Sequence, residues 1–192
     1  MSKLAIFSSG TGSNAARIIR YFQGHPSISI GLIVCNNAHA GVLNIASAAG
    51  VPVLLIEKEQ FFRGSAYVPE LQDRGIDFIV LAGFLWKIPT RLIQAYPRRI
   101  INIHPALLPK YGGKGMYGRH VHEAVIAAGE KESGITIHYV DEIYDHGQVI
   151  FQDKVIVDPE DTPESLAGKI QSLEHSRFPR VIEEVVKGLN PR

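Results

Sequence analysis

The chain has 192 residues, 20 Lys+Arg against 19 Asp+Glu, a 45% hydrophobic fraction and one cysteine. At about 150 residues per domain this is read as a single domain, residues 1–192, able to bury one sizeable core without disulfides. The near-neutral charge excludes a strongly basic nucleic-acid binder, and the lone Cys35 excludes both a disulfide framework and a CxxC metal site. The apolar run after Met1 breaks into Ser and Gly within four residues, and no stretch approaches a membrane span. The expectation is therefore a cytoplasmic protein with neither a membrane nor a nucleic-acid partner.

In chain order, Leu4–Phe7 predicts a buried strand and Ala15–Phe22 a helix, followed by a strand over Ile28–Val34. A small-residue helix is expected over Val42–Ala49, closed by Gly50, then a strand over Val51–Ile56. Residues 59–74 suit a surface helix that Gly64 and Pro69 oppose. Phe78–Ala82 is the most apolar strand, Leu92–Tyr96 a helical turn, and Arg99–Ile103 a strand running into His104-Pro105. This alternation predicts an α/β fold with a doubly wound, mostly parallel sheet. Beyond it the rhythm changes. A Gly-rich loop (105–118) precedes a helix over Val121–Ala128 and strands over Gly134–Val140 and Gln148–Val157. Only seven residues join those strands, too few for a parallel crossover, so antiparallel C-terminal strands are expected. Thr162 and Pro163 mark the N-cap and first position of a helix reaching about Lys187, which Pro179 should kink or split.

Three constellations could carry chemistry. Ser8-Ser-Gly-Thr-Gly-Ser-Asn14 links the first strand to the first helix, where unpaired N–H groups and close backbone approach suit a phosphate. Gly10, Gly12 and Ala15 satisfy GxGxxA, but no acid follows at the ribose-reading distance, so a monophosphate is favoured over a dinucleotide. The plain alternative is a tight turn with Ser or Asn capping the helix. Next, Asn102 and His104 are two apart at a strand end, so both side chains share a face; both can stabilise a developing oxyanion, and His104 can carry a proton. Third, the loop between the last two strands carries Asp141, Glu142, Asp145 and His146. Asp145 is placed to orient an imidazole, whereas Asp141 and Glu142 read equally well as a solvated turn. His104, His138, His146 and Asp145 match no metal-ligand spacing, so no metal is expected. His120 and His122 do not share a helix face and read as surface or packing residues.

Ser9-Gly-Thr-Gly-Ser-Asn14, Asn102-Ile-His-Pro-Ala-Leu-Leu-Pro109 and His138 through Gly147, in that order, resemble the folate-dependent formyltransferases over residues 3 to about 185. The resemblance implies the formyltransferase fold and small-molecule substrates. It implies 10-formyltetrahydrofolate as formyl-donating co-substrate, an amine acceptor such as glycinamide ribonucleotide, and a monomer or homodimer. By the same resemblance Asn102 and His104 would stabilise the tetrahedral oxyanion and Asp145 would hold the imidazole and raise its basicity. Gly12, Ser13, Asn14, Gln171 and Glu174 would hold the ribonucleotide. The folate would lie along Leu85, Trp86, Lys87 and Ile88, along Val140, Asp141, Glu142, Ile143, Tyr144 and Asp145, and near Asn102 and Arg63. Trp86 stands where the family often has arginine, and the loop Lys110–Gly118 is longer than the common form. A formyltransferase for an amino-sugar nucleotide and a non-catalytic nucleotide-binding module are the competing readings.

Overall fold

Seven strands form one sheet in the order β3-β2-β1-β4-β5-β6-β7. They are β1 (Ser2–Phe7), β2 (Ile28–Cys35), β3 (Val53–Leu55), β4 (Phe78–Leu81), β5 (Ile100–His104), β6 (Glu132–Tyr139) and β7 (Val149–Ile156). The helices are α1 (Ser13–Phe22), α2 (Val42–Ala49), α3 (Lys58–Phe62), α4 (Val68–Asp73), α5 (Thr90–Ala95), α6 (Arg119–Ala127) and α7 (Pro163–Leu189). The structure is a computed structural model and describes residues 1–189; residues 190–192 of the expected domain lie outside the described residues. The first five strands pair parallel, whereas β5–β6 and β6–β7 pair antiparallel, as the short join before β7 requires.

The alternation of β1 and β5 sorts the core into two layers. Leu4, Ile6, Ile101 and Ile103 point into one cluster with Ile18 of α1 and Phe178 and Ile182 of α7. Ala5, Phe7 and Ile100 point into the other, with Phe61, Leu71 and Leu92 from α3, α4 and α5. Full burial of each such large side chain contributes about 1.5–3 kcal/mol. Asn102 and His104 alternate with Ile101 and Ile103 and so share the opposite face.

Three local expectations are corrected. The single helix over 59–74 is two helices, α3 and α4, because Gly64 and the left-handed Ala66 and Tyr67 turn the chain between them. The third strand shrinks to Val53–Leu55, since it lies at the sheet's edge and has one neighbour. Pro179 does not split α7: it sits buried within a continuous 27-residue helix whose packing on α1, α6 and β6 offsets the lost backbone bond. The Thr162 cap is present, with Ser165 N–H donating to Thr162 Oγ1 at 3.2 Å. Among the described residues, no helix is long and apolar enough to cross a membrane.

Candidate active site

Strand order reverses between β1 and β4, and their carboxyl ends open a crevice there. Ser9 N–H donates to the Gly83 carbonyl at 3.0 Å, and Leu85 N–H donates to Ser9 Oγ at 3.0 Å, so the two strand ends are tied together. A cavity of about 960 Å³ extends from this point past β5 to α6 and α7. Asn102, His104 and Asp145 all line it, together with Gly10, Thr11 and Asn14 of the phosphate-like turn.

The turn begins α1 without a side-chain cap. Gly12 takes the N-cap position at φ 79°, a left-handed value open to glycine, and presses on Val42 of α2. The plain capping alternative is therefore not what these residues do. Gln171 Nε2 donates to Ser13 Oγ at 3.2 Å, and Asn14 Nδ2 donates to Glu174 Oε2 at 2.9 Å. These contacts bring residues some 160 positions apart into one substrate-sized recess. Asn14 Oδ1 is buried there without a hydrogen bond among the described residues, so an acceptor is left for a ligand hydroxyl. Burial pushes the Glu174 carboxyl up to about 7, against the Asn14 hydrogen bond.

At the other end, proton positions follow from the partners. A carbonyl can only accept, so His104 Nε2 carries the hydrogen that it donates to Tyr111 O at 2.7 Å. His104 Nδ1 lies 3.6 Å from Asp145 Oδ2, where a second proton would face a carboxylate. His138 Nδ1 likewise donates to its neighbour's carbonyl, Tyr139 O, at 2.9 Å. Its Nε2 is then free to accept from Asn102 Nδ2 at 3.1 Å. Asp145 Oδ1 stands 3.7 Å from that same Nε2, and Oδ2 accepts from Gly113 N–H at 2.9 Å.

Burial lowers the His104 pKa; Asp145 and the Tyr111 carbonyl oppose this, and His138 adds to it. The expected rise in basicity from Asp145 is thus present but outweighed, because the ring is 4% exposed. Burial works upward on Asp145. The neighbouring His138, the charge of His104 and the hydrogen bond from Gly113 N–H together hold it below the ordinary carboxylate value.

Of the expected folate contacts, Leu85, Trp86, Lys87, Ile88, Val140, Asp141, Ile143, Tyr144 and Asp145 line the large cavity. Trp86 both lines it and packs, its ring 5.7 Å from Phe61 and 5.6 Å from Phe62. Glu142 is exposed and lies outside the lining, because the loop turns it to solvent. Arg63 is also outside: it lines a neighbouring cavity of about 350 Å³ that shares Lys87 and Ile88 with the large one. Gly12 and Ser13 support the recess rather than face it. His122 is the clearest omission, since it is 5% exposed and lines the cavity with Nδ1 unpaired among the described residues. The i, i+2 spacing did separate it from His120, which stays exposed beside Glu123. Only the fold of 113–118 into a cavity wall reveals which of the two points inward.

Residues 2–182 match the model of the formyl transferase family. The chain is 43% identical over 186 residues to a chloroplastic phosphoribosylglycinamide formyltransferase of Arabidopsis thaliana, covering 94% of this chain. It spans 64% of that protein's length and 60% of the similar protein from Vigna unguiculata. It is 37% identical to the phosphoribosylglycinamide formyltransferase of Bacillus subtilis, covering 100% of this chain and 98% of that one. The crystal structure of phosphoribosylglycinamide formyltransferase from Bacillus halodurans superposes with a TM-score of 0.87 at 36% identity, covering 99% of this chain and 96% of that one.

Proposed function

The chain belongs to the formyl transferase family, and from that premise we propose that it transfers the formyl group of 10-formyltetrahydrofolate to the amine of glycinamide ribonucleotide. One observation carries the reading. A single cavity joins an oxyanion-stabilising pair, Asn102 and His104, to a recess of Asn14, Gln171 and Glu174 fitted to a phosphorylated sugar. A nucleotide-binding module has no use for the first half.

The phosphate rests on the backbone of the turn at the start of α1, where N–H groups and the helix dipole favour an anion. Glu174 and the unpaired Asn14 Oδ1 accept from the ribose hydroxyls. The folate lies between Leu85–Ile88 and Val140–Asp145, and Lys87 and Ile88 extend this wall into the smaller cavity beside Arg63. Its N10-formyl group thereby meets Asn102 and His104.

The glycinamide nitrogen attacks the formyl carbon, and the carbonyl electron pair moves onto oxygen. One Nδ2 hydrogen of Asn102 is held by His138, and the other is free for that oxyanion. His104 stabilises the same charge once it holds a proton at Nδ1, and Asp145 balances the imidazolium. Loss of one such donor costs about 3–4 kcal/mol of barrier. Collapse breaks the carbon–N10 bond, and the proton lost by the amine passes to N10.

Absorbance at the tetrahydrofolate band, followed with 10-formyltetrahydrofolate and glycinamide ribonucleotide together, tests the proposal. Product formation only when both are present is expected. Folate binding without turnover would overturn the choice of acceptor and direct the search to amino-sugar nucleotides.

A further inference from the structure

The geometry points to Tyr111, held by Glu130, as a positioning residue for His104. Its carbonyl oxygen is the partner of His104 Nε2, at 2.7 Å. The backbone of Tyr111 is left-handed, at φ 57°, a conformation that a bulky residue keeps only when its surroundings impose it. Those surroundings are identifiable. The Tyr111 hydroxyl donates to Glu130 Oε1 at 2.9 Å, and Lys110 Nζ reaches the same oxygen at 2.7 Å. Two consecutive side chains thus converge on one carboxylate that lies in the turn between α6 and β6, outside the lining of the catalytic cavity.

The other end of the same stretch is fixed independently. Thr136 stands opposite His104 in the β5–β6 register and opposite Gln152 in the β6–β7 register. Its buried hydroxyl donates to Ala106 O at 2.7 Å and accepts from Leu108 N–H at 3.0 Å and from Gln152 Nε2 at 2.8 Å. Gln152 Nε2 also donates to Leu108 O at 3.0 Å. One proton donated and two accepted saturate that hydroxyl. The chain therefore leaves His104, is pinned at 106 and 108, and returns its carbonyl at 111 to the ring it left. Glu130 sets the end of that return, and an error of about 1 Å in such a partner is enough to change rates by orders of magnitude.

Three variants separate this role from general stability: Tyr111→Phe, Glu130→Ala and Glu130→Gln. Tyr111→Phe keeps the ring and loses only the hydroxyl, and Glu130 lies near the surface, so each variant is expected to fold. Two readouts are needed. Imidazole NMR of the substrate-free protein follows the His104 titration and needs no substrate, so it is independent of the formyl-transfer proposal. Steady-state kinetics rests on that proposal. Tyr111→Phe and Glu130→Ala should move the His104 titration to lower pH, because an acceptor for its Nε2 hydrogen is displaced. Both should lower kcat about tenfold with KM for the ribonucleotide changed less than about twofold. Glu130→Gln keeps an oxygen for the phenol and should retain at least about half of the kcat. An unmoved His104 titration in Tyr111→Phe would overturn the inference, whatever the activity. So would a kcat loss in Glu130→Gln equal to that in Glu130→Ala.

Discussion

Asn102 and His138 face each other across the antiparallel β5–β6 pair, and the amide nitrogen of one lies 3.1 Å from Nε2 of the other. Because His138 spends its Nδ1 hydrogen on the Tyr139 carbonyl, its Nε2 must accept, and this fixes which end of the Asn102 amide is the donor. Asn102→Asp replaces that donor with an acceptor, against both His138 Nε2 and the oxyanion. We expect kcat to fall by about 10²–10³ with ribonucleotide KM little changed, the pattern of a contact made in the transition state. Steady-state kinetics with both substrates decides it. A rise in KM alone would assign Asn102 to ground-state binding.

Asp145 is the second case. It raises the basicity of His104, although burial wins and the ring's pKa stays below its ordinary value. Asp145→Asn removes the upward pull, so the His104 imidazole should titrate at still lower pH and turnover should drop. The sign for stability follows. The folded ring binds a proton less readily than the unfolded one, so His104 costs the native state stability as pH falls below about 6.5. That contribution should grow in Asp145→Asn. NMR titration of the imidazole combined with urea unfolding at pH 5 and 8 checks both parts; a His104 titration at higher pH in the variant would refute the assignment.

The sequence showed the parallel half of the sheet well, since Leu4–Phe7 and Phe78–Ala82 are buried on both faces and read as apolar runs. It showed Asn102 and His104 on one face because a strand's period is two. It could not show that Gln171 and Glu174 meet Ser13 and Asn14, because that contact joins the two ends of the chain and depends on α7 packing against α1. The family resemblance, not the residue pattern, placed those two. Neither route placed His122 or separated Arg63 from the large cavity, since both depend on the paths of irregular segments whose positive-φ residues carry no periodicity.

Gly12→Ala tests the turn. A Cβ there would fall 2.7 Å from Val42 Cβ and 2.8 Å from Val42 Cα, and φ at 79° disfavours any side chain. Neither the backbone of α2 nor the strain can be relieved cheaply, so a loss of about 1–3 kcal/mol is expected from the conformation alone. Thermal unfolding should shift downward, and the stabilisation that inorganic phosphate is expected to give the parent should be absent in the variant. An unchanged transition with phosphate protection intact would show that the turn tolerates displacement from α2.

Glu174 gives the sharpest pH test. Burial pushes its carboxyl up to about 7, so in the free protein near neutrality it is about half protonated. The native state therefore binds this proton more readily than the unfolded chain does. Stability from Glu174 is fully present below about 4.5 and is lost as pH rises toward 7. Glu174→Gln, which cannot ionise, should gain stability relative to the parent at pH 8 but not at pH 4. If the carboxylate accepts the ribose hydroxyls, ligand binding selects its ionised form and releases a proton. Calorimetry at pH 7 in buffers of different ionisation heat should then show a release of up to about half a proton for the parent and less for Glu174→Gln. The ligand phosphate titrates in the same range, and comparison with the variant removes its share. Equal proton release by both proteins would place the ribose elsewhere in the cavity, whereas a parent-specific release with weakened binding in Glu174→Gln fixes the sugar on α7.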